Sequence, residues 1–170
     1  LKRVSFLIFF VLILPSSCGY HLRGKETNLP PDIRSVAIPI FANRTIQTGI
    51  ESVVTQALLE KFSSAKVLAV APQSSADSLL NGTVLSFTTS PVAVTAATQF
   101  STENRATVTL EFTFRDQRSG KVMFRESMSD WRNYPVVFDL NATEQFKKEA
   151  IRQISALLAE RIYELILGSF

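Results

Sequence analysis

The 170-residue chain predicts an α+β fold. It should form a single domain with a mixed sheet of four to five strands, in the order β-α-β-β-β-β-α, and two helices packed on one face. Three observations carry this expectation. Residues 105–115 (RATVTLEFTFR) alternate strictly between apolar and polar, the period of a half-buried antiparallel strand. Two other segments, 43–64 and 141–165, repeat their apolar residues at three and four, the period of an amphipathic helix. A strand, a helix and a second strand follow one another early in the chain and read as a βαβ unit, whose two strands lie parallel.

Taken in order, residues 19–33 form an irregular lead, because Pro30 and Pro31 lack amide donors. Residues 35–41 (SVAIPIF) form a first strand, which Pro39 confines to an edge or an end. The first helix carries Ile50, Val53, Val54, Ala57, Leu58 and Phe62 on one stripe, and residues 66–71 (KVLAVA) form a short second strand. A long strand covers 79–94 and stops near Pro91; the small, polar residues 93–104 (AVTAATQFSTEN) form a loop. In the alternating strand Val108, Leu110, Phe112 and Phe114 share one face, and Thr107, Thr109, Glu111 and Thr113 the other. Residues 116–121 (DQRSGK) make a turn at Gly120, and 122–134 return as the second arm of a hairpin. Asn141 caps the last helix, with Glu144 placed as in a capping box. Its stripe is Phe146, Ile151, Ile154, Leu158, Ile162 and Leu165. The chain shows no internal repeat and no second domain.

The start of the chain has a separate logic. Lys2 and Arg3 precede an apolar run over 4–14 broken only by Ser5, and Ser16 and Ser17 lead into Cys18. This is the layout of a secretory signal, too short for an ordinary membrane span. Leu1 is read as an alternative start translated literally. A cysteine directly after the small residues marks a lipoprotein signal over 1–17, although Pro15 stands where an apolar residue is usual. Cys18 is the one cysteine in the chain and so has no partner within it for a disulfide. An exposed thiol is a liability in an oxidising compartment, and acylation removes it. Each buried methylene contributes about 0.8 kcal/mol, so several acyl chains hold a protein stably at a membrane. Gly19, in place of an aspartate, leans the anchor towards the outer membrane.

Without residues 1–17 the domain spans 18–170, with 18–33 as a tether. The chain holds 18 basic and 15 acidic residues; removing Lys2 and Arg3 leaves 16 against 15, nearly neutral. No arginine-rich tract interleaved with aromatics is present, which excludes a nucleic-acid partner. His21 lacks a second histidine or a free thiol to work with, and no Gly-rich phosphate loop, HExxH, GxSxG or CxxC occurs, so neither a cofactor nor an enzyme is expected. A lipid-anchored hydrolase would need Glu126, Asp130 or His21 to converge.

Two surface features remain. Arg115, Arg118, Lys121 and Arg125 concentrate positive charge at the hairpin turn. They form either a solvated tip that discourages edge aggregation or a cradle for an anionic lipid head group. In the second case changing Arg118 and Lys121 to Ala weakens binding of that lipid without loss of folding. The threonine face of the alternating strand either meets solvent or docks in the polar lumen of a transmembrane barrel.

The stretch Cys18-Gly19-Tyr20-His21-Leu22-Arg23-Gly24, followed by a βαβ unit, a long hairpin and a terminal helix, resembles the LptE family of lipopolysaccharide-assembly lipoproteins. The match in Gly19, Tyr20, His21, Leu22 and Arg23 is by residue; over the rest of 18–170 it is by pattern. The resemblance implies a triacylated lipoprotein on the periplasmic side of the outer membrane. It also implies that the chain plugs an LptD-type β-barrel and takes part in lipopolysaccharide transport without catalysing a reaction. The other reading is a lipid-anchored periplasmic adaptor of a different envelope-assembly machine.

Overall fold

The computed structural model describes residues 29–94 and 101–168. Cys18 and the motif residues Gly19, Tyr20, His21, Leu22 and Arg23 lie outside the described residues, as does the segment 1–17.

Two short strands, β1 (Ser35–Ala37) and β2 (Ala42–Asn43), replace the single strand expected over 35–41. Pro39 has no N–H to give a ladder. Phe41 then turns inward, its N–H donating to Thr55 Oγ1 (3.0 Å) instead of to a neighbouring strand. The sheet therefore has six strands. Helix α1 (Ile50–Ala65) follows and buries Ile50, Val54, Leu58 and Phe62; Val53 and Ala57 are partly buried against the same core. β3 (Ala69–Val70) pairs with β1 in parallel, in the register Ser35 to Ala69, so the βαβ unit forms.

Three long strands make up the body: β4 (Ser78–Val94), β5 (Ser101–Asp116) and β6 (Val122–Pro135). The order across the sheet is β3-β1-β4-β5-β6, with β2 beside β4. β1 and β2 pair with β4 in parallel, whereas β4, β5 and β6 are antiparallel. Helix α2 (Leu140–Leu167) closes the domain.

Three expectations need correction. β4 does not stop at Pro91 but runs on to Val94, and Ser101, Thr102, Glu103 and Asn104 belong to β5 rather than to a loop. Pro91 is tolerated because β1 and β2 end their pairing at Val84. Beyond that point β4 is an edge among the described residues, where a missing donor costs little. Irregular register at Ala93 and Val94 and the Ser101 hydroxyl bond to Asn104 Oδ1 (2.7 Å) shape this end. The cap of α2 is Asp139, not Asn141: its carboxylate accepts from the amides of Asn141 and Ala142. Carboxylate acceptance of the orphan amides is the stronger cap here, and Glu144 instead pairs with Lys147 at 2.7 Å. Phe146, finally, is exposed, because the first two turns of α2 precede its buried stretch, which starts at Ala150.

The alternation of β5 determines where the core sits. Val108, Leu110, Phe112 and Phe114 are fully buried and share one cluster with Val54, Leu58 and Phe62 of α1 and Ile154, Leu158 and Ile162 of α2. Each such side chain contributes about 1.5–3 kcal/mol on burial. Both helices thus lie on one face of the sheet. At the crossing of β2 and β4 no side chain fits at Gly82. A Cβ there would strike the Phe41 ring and lie 2.6 Å from the Glu111 carbonyl oxygen.

Gly82→Ala should therefore destabilise the domain by about 1–3 kcal/mol, the range for overpacking a filled core. Urea denaturation checks this, and an unchanged midpoint would show that Phe41 can move aside.

Candidate functional site

Residues directly opposite in an antiparallel pair point the same way, so the register assigns both faces of the sheet. Thr107, Thr109, Glu111 and Thr113 of β5 face away from the helices. Beside them stand Thr88, Ser86, Thr83 and Asn81 of β4 and Trp131, Ser129, Ser127 and Arg125 of β6. The helices contribute to the core on the opposite side. The result, among the described residues, is a face that neither helix covers, on which eight of these twelve side chains are short hydroxyls and Glu111, Asn81, Trp131 and Arg125 make up the rest.

Those hydroxyls are tied down locally. Thr109 Oγ1 donates to Ser129 Oγ (3.1 Å), and the Ser127 and Ser129 hydroxyls reach the Leu110 and Val108 carbonyls, each at 3.2 Å. Such bonds keep side chains low and the face even. Among these twelve residues the large apolar one, Trp131, is half-exposed, and the row of Arg115 adds Leu79 and Val122. The Arg105 guanidinium lies over the indole ring, 4.0 Å from its centroid, and Arg105 Nε donates to Asn133 Oδ1 (3.1 Å). A cation over an exposed indole contributes about 0.5–1 kcal/mol. The threonines of β5 are predicted from its sequence. The contributions of β4 and β6, and the Arg105–Trp131–Asn133 corner, needed the strand register, which a pattern within one strand does not carry.

At the turn joining β5 and β6 the four predicted cations have different surroundings. All four are exposed. Arg118 pairs with Asp77 (Nη2 to Oδ1, 2.6 Å), so its charge is already met. Asp116 organises the turn, accepting from the Arg118 amide (2.8 Å) and the Ser119 hydroxyl (2.7 Å). Lys121 closes the turn through its carbonyl, which accepts the Asp116 amide (3.0 Å). Arg115 and Arg125 remain: Arg125 stands opposite Thr113, and Arg115 is one alternation further along β5 on the same open face.

Asp77 is a residue that pattern reading missed. Its Oδ2 accepts from the Ser35 hydroxyl (2.8 Å) and the Arg34 amide (3.2 Å) at the start of β1, while Oδ1 takes Arg118 from the turn. Its carbonyl accepts the Gln117 amide (2.8 Å). One aspartate thereby joins the place where the chain enters the sheet to the tip of the hairpin. The Ser35 hydroxyl above all, then the Arg34 amide and the Arg118 charge, hold its carboxyl below the usual range. Asp116 is lowered in the same sense, chiefly by the Ser119 hydroxyl and the Arg118 amide.

The carboxylates that a hydrolase would need do not converge. Glu126 and Asp130 register with Phe112 and Val108 on the helix side of β6, Glu126 is exposed, and His21 lies outside the described residues. Asp130 is buried and faces two arginines: Arg161 of α2 (3.2 Å) and Arg132 (3.7 Å). It also accepts the Trp131 amide (2.7 Å). It clamps α2 against β6, a structural role.

A family model described as LptE, lipopolysaccharide-assembly, matches residues 33–166. No curated protein sequence matches the chain. Among solved structures, a lipoprotein B from Nitrosomonas europaea superposes with a TM-score of 0.56 at 12% identity, over 88% of this chain and 91% of that one. The rare lipoprotein B of Shewanella oneidensis gives 0.54 at 14% identity, over 76% and 94%. A minor lipoprotein from Acinetobacter baumannii gives 0.54 at 15%, over 82% and 95%. At these identities the likeness is one of fold.

Because both aspartates have lowered values in the folded chain, their stabilisation is complete above the unfolded carboxyl value of about 3.9 and is lost as pH falls below it. Asp77→Asn should lower the melting temperature at pH 7 and reduce the fall between pH 7 and pH 3. It should also speed hydrogen exchange at the Arg34 amide. An identical pH profile for the variant would remove Asp77 from this role.

Proposed function

The chain belongs to the LptE family of lipopolysaccharide assembly, and from that premise we propose that it is a lipid-anchored outer-membrane protein that plugs an LptD-type β-barrel. In this reading it helps the barrel to assemble and to pass lipopolysaccharide to the cell surface. The observation that carries it is the uncovered hydroxyl face of β4, β5 and β6. A barrel lumen is polar and lined by alternate side chains of its strands. The serines and threonines of this face can lie against such a wall directly, whereas Glu111, Arg115 and Arg125 on the same face need polar partners in the lumen, because burying an unpaired charge is costly.

The anchor and the face divide the work. Acyl chains on Cys18 confine the domain to the membrane and raise its concentration beside the barrel, and binding within the lumen supplies specificity. No catalytic step or cofactor is involved. Arg115 and Arg125, one alternation apart on the same open face, are the cations best placed to meet the phosphates of a passing lipopolysaccharide, with Lys121 in the adjoining turn. Arg118 is the least available of the four, because Asp77 already holds it.

Thr109→Phe with Ser129→Phe places bulk on the open face without touching the core. The pair should leave the melting temperature nearly unchanged and sharply reduce the β-barrel recovered when the tagged chain is purified in mild detergent. Full recovery would turn the open face away from the barrel. Arg115→Ala with Arg125→Ala should weaken lipopolysaccharide binding about tenfold or more, since a hydrogen bond to a charged group is worth about 1.5–3 kcal/mol. If Arg118→Ala alone has the larger effect, the assignment of the cations is wrong.

A further inference from the structure

At the end of the open face where β5 begins, the side chains differ from the rest in what they leave unused. Arg105 stands opposite Asn133 of β6 and Ser90 of β4, and Thr107 opposite Trp131 and Thr88. In the rows nearer the hairpin turn, the Thr109, Ser127 and Ser129 hydroxyls are taken up by one another and by backbone carbonyls. Here Nη1 and Nη2 of Arg105, the side-chain nitrogen of Asn133 and the hydroxyl of Thr107 bond no other described residue; Arg105 is tied only through Nε. Nor does Arg105 form an ion pair among the described residues, not even with Glu103 two places along the same strand.

The corner is also held in place. The Arg105 guanidinium lies over one side of the Trp131 indole, 4.0 Å from its centroid, and Arg105 Nε donates to Asn133 Oδ1 (3.1 Å). Two contacts thus fix where the fork points before anything binds. Trp131 nevertheless remains 46% exposed. The row on its other side, Thr109 and Ser129, carries only short side chains bonded to each other.

These groups specify a ligand chemistry. The face of an indole is electron-rich and attracts the weakly positive C–H bonds of a saturated ring. Hydroxyl and amide groups beside it match a ligand rich in hydroxyls. A guanidinium with both Nη groups uncommitted is a fork for a carboxylate or a phosphate. A sugar ring with an acidic substituent combines all three: a C–H face, a rim of hydroxyls and an anion. A purely apolar ligand would use the indole alone and leave the polar groups covered without partners, which is unfavourable. The two rows, taken across three strands, cover about 10 Å by 7 Å, room for one or two sugar rings.

We infer that Trp131, Arg105, Asn133 and Thr107 form a binding site for a saccharide that carries a carboxylate or a phosphate. The indole receives the C–H face of the sugar, the Nη groups of Arg105 take the acid, and Asn133 and Thr107 meet the hydroxyls. Asn133 has a second part, since by holding Nε it aims the fork. The inference does not rest on the plug reading; it concerns the chain by itself and is tested on the chain by itself.

Trp131 is the one tryptophan of the sequence, so its fluorescence reports this corner alone. The purified full-length chain is titrated with glucuronate, glucose 6-phosphate, glucose, acetate and inorganic phosphate. A saturable change with the acidic sugars is expected, at least tenfold weaker with glucose and absent with the two small anions; the tighter of the two acidic sugars names the acid. Glucose binding as tightly as glucuronate overturns the assignment of an acidic sugar. An equal response to acetate or phosphate reveals an anion site only and overturns the saccharide, and no saturable response to either acidic sugar overturns the site. Arg105→Gln should weaken binding of the acidic sugars about tenfold or more, the scale of a lost hydrogen bond to a charged group, with far-ultraviolet circular dichroism unchanged. Arg115→Ala with Arg125→Ala, on the same face near the turn, should leave it unaltered. Equal loss in both variants would mean attraction to general positive charge and would refute the proposal.

Discussion

A sheet has two faces, and among the described residues helices cover only one of them. β4, β5 and β6 are long strands, and α1 and α2 share a single core on one side, where Val108, Leu110, Phe112 and Phe114 meet Leu58, Phe62, Leu158 and Ile162. The period of two in β5 places each apolar residue inward and so each intervening residue outward. The outer face is therefore obliged to be something other than core. Serine and threonine make up most of it, bonded to one another and to the backbone, and Arg105 lies over one side of the half-exposed tryptophan. From this one-sided cover follows the placement of the core on the helix side of the sheet.

The second organising contact is Asp77. Three segments far apart in sequence meet at it: the start of β1, the turn into β4 and the hairpin tip. The contact fixes the hairpin relative to the start of β1, so that the entry into the sheet and the basic tip lie at the same end of it. Asp130 does comparable work on the helix side, holding α2 against β6 through Arg161. A charge placed in each of these positions orients an element more than it adds net stability, as expected of exposed and half-buried ion pairs.

Much of this is legible in the residues themselves. Strict alternation over 105–115 places β5 and its buried face, and the three-and-four spacing in 50–62 and 151–162 gives the helices and the layer they form. The family resemblance is by residue over 18–24 and by pattern over the rest of the domain, while the family match covers 33–166, so only the residue-by-residue part lies outside the match. What the sequence hides has identifiable causes. Pro91 and the small residues after it read as a loop, because no local pattern tells an edge strand from a connection. Asp139 competes with Asn141 for the cap, and only the position of the carboxylate decides. The open face spans three strands whose registers cannot be inferred one strand at a time. Arg118 looks like one of four equal cations until Asp77, 41 residues away, is brought beside it.

The account stands or falls on where the hydroxyl face points in the membrane. Trp131 lies on that face, half-exposed, and its indole oxidises readily under brief hydroxyl-radical labelling. Comparing its oxidation rate in the purified chain with that in intact outer membranes is the most direct test. Several-fold protection of Trp131 in the membrane is the predicted result. Equal oxidation in both states would mean that the face stays in solvent, and the plug reading would be contradicted at its foundation.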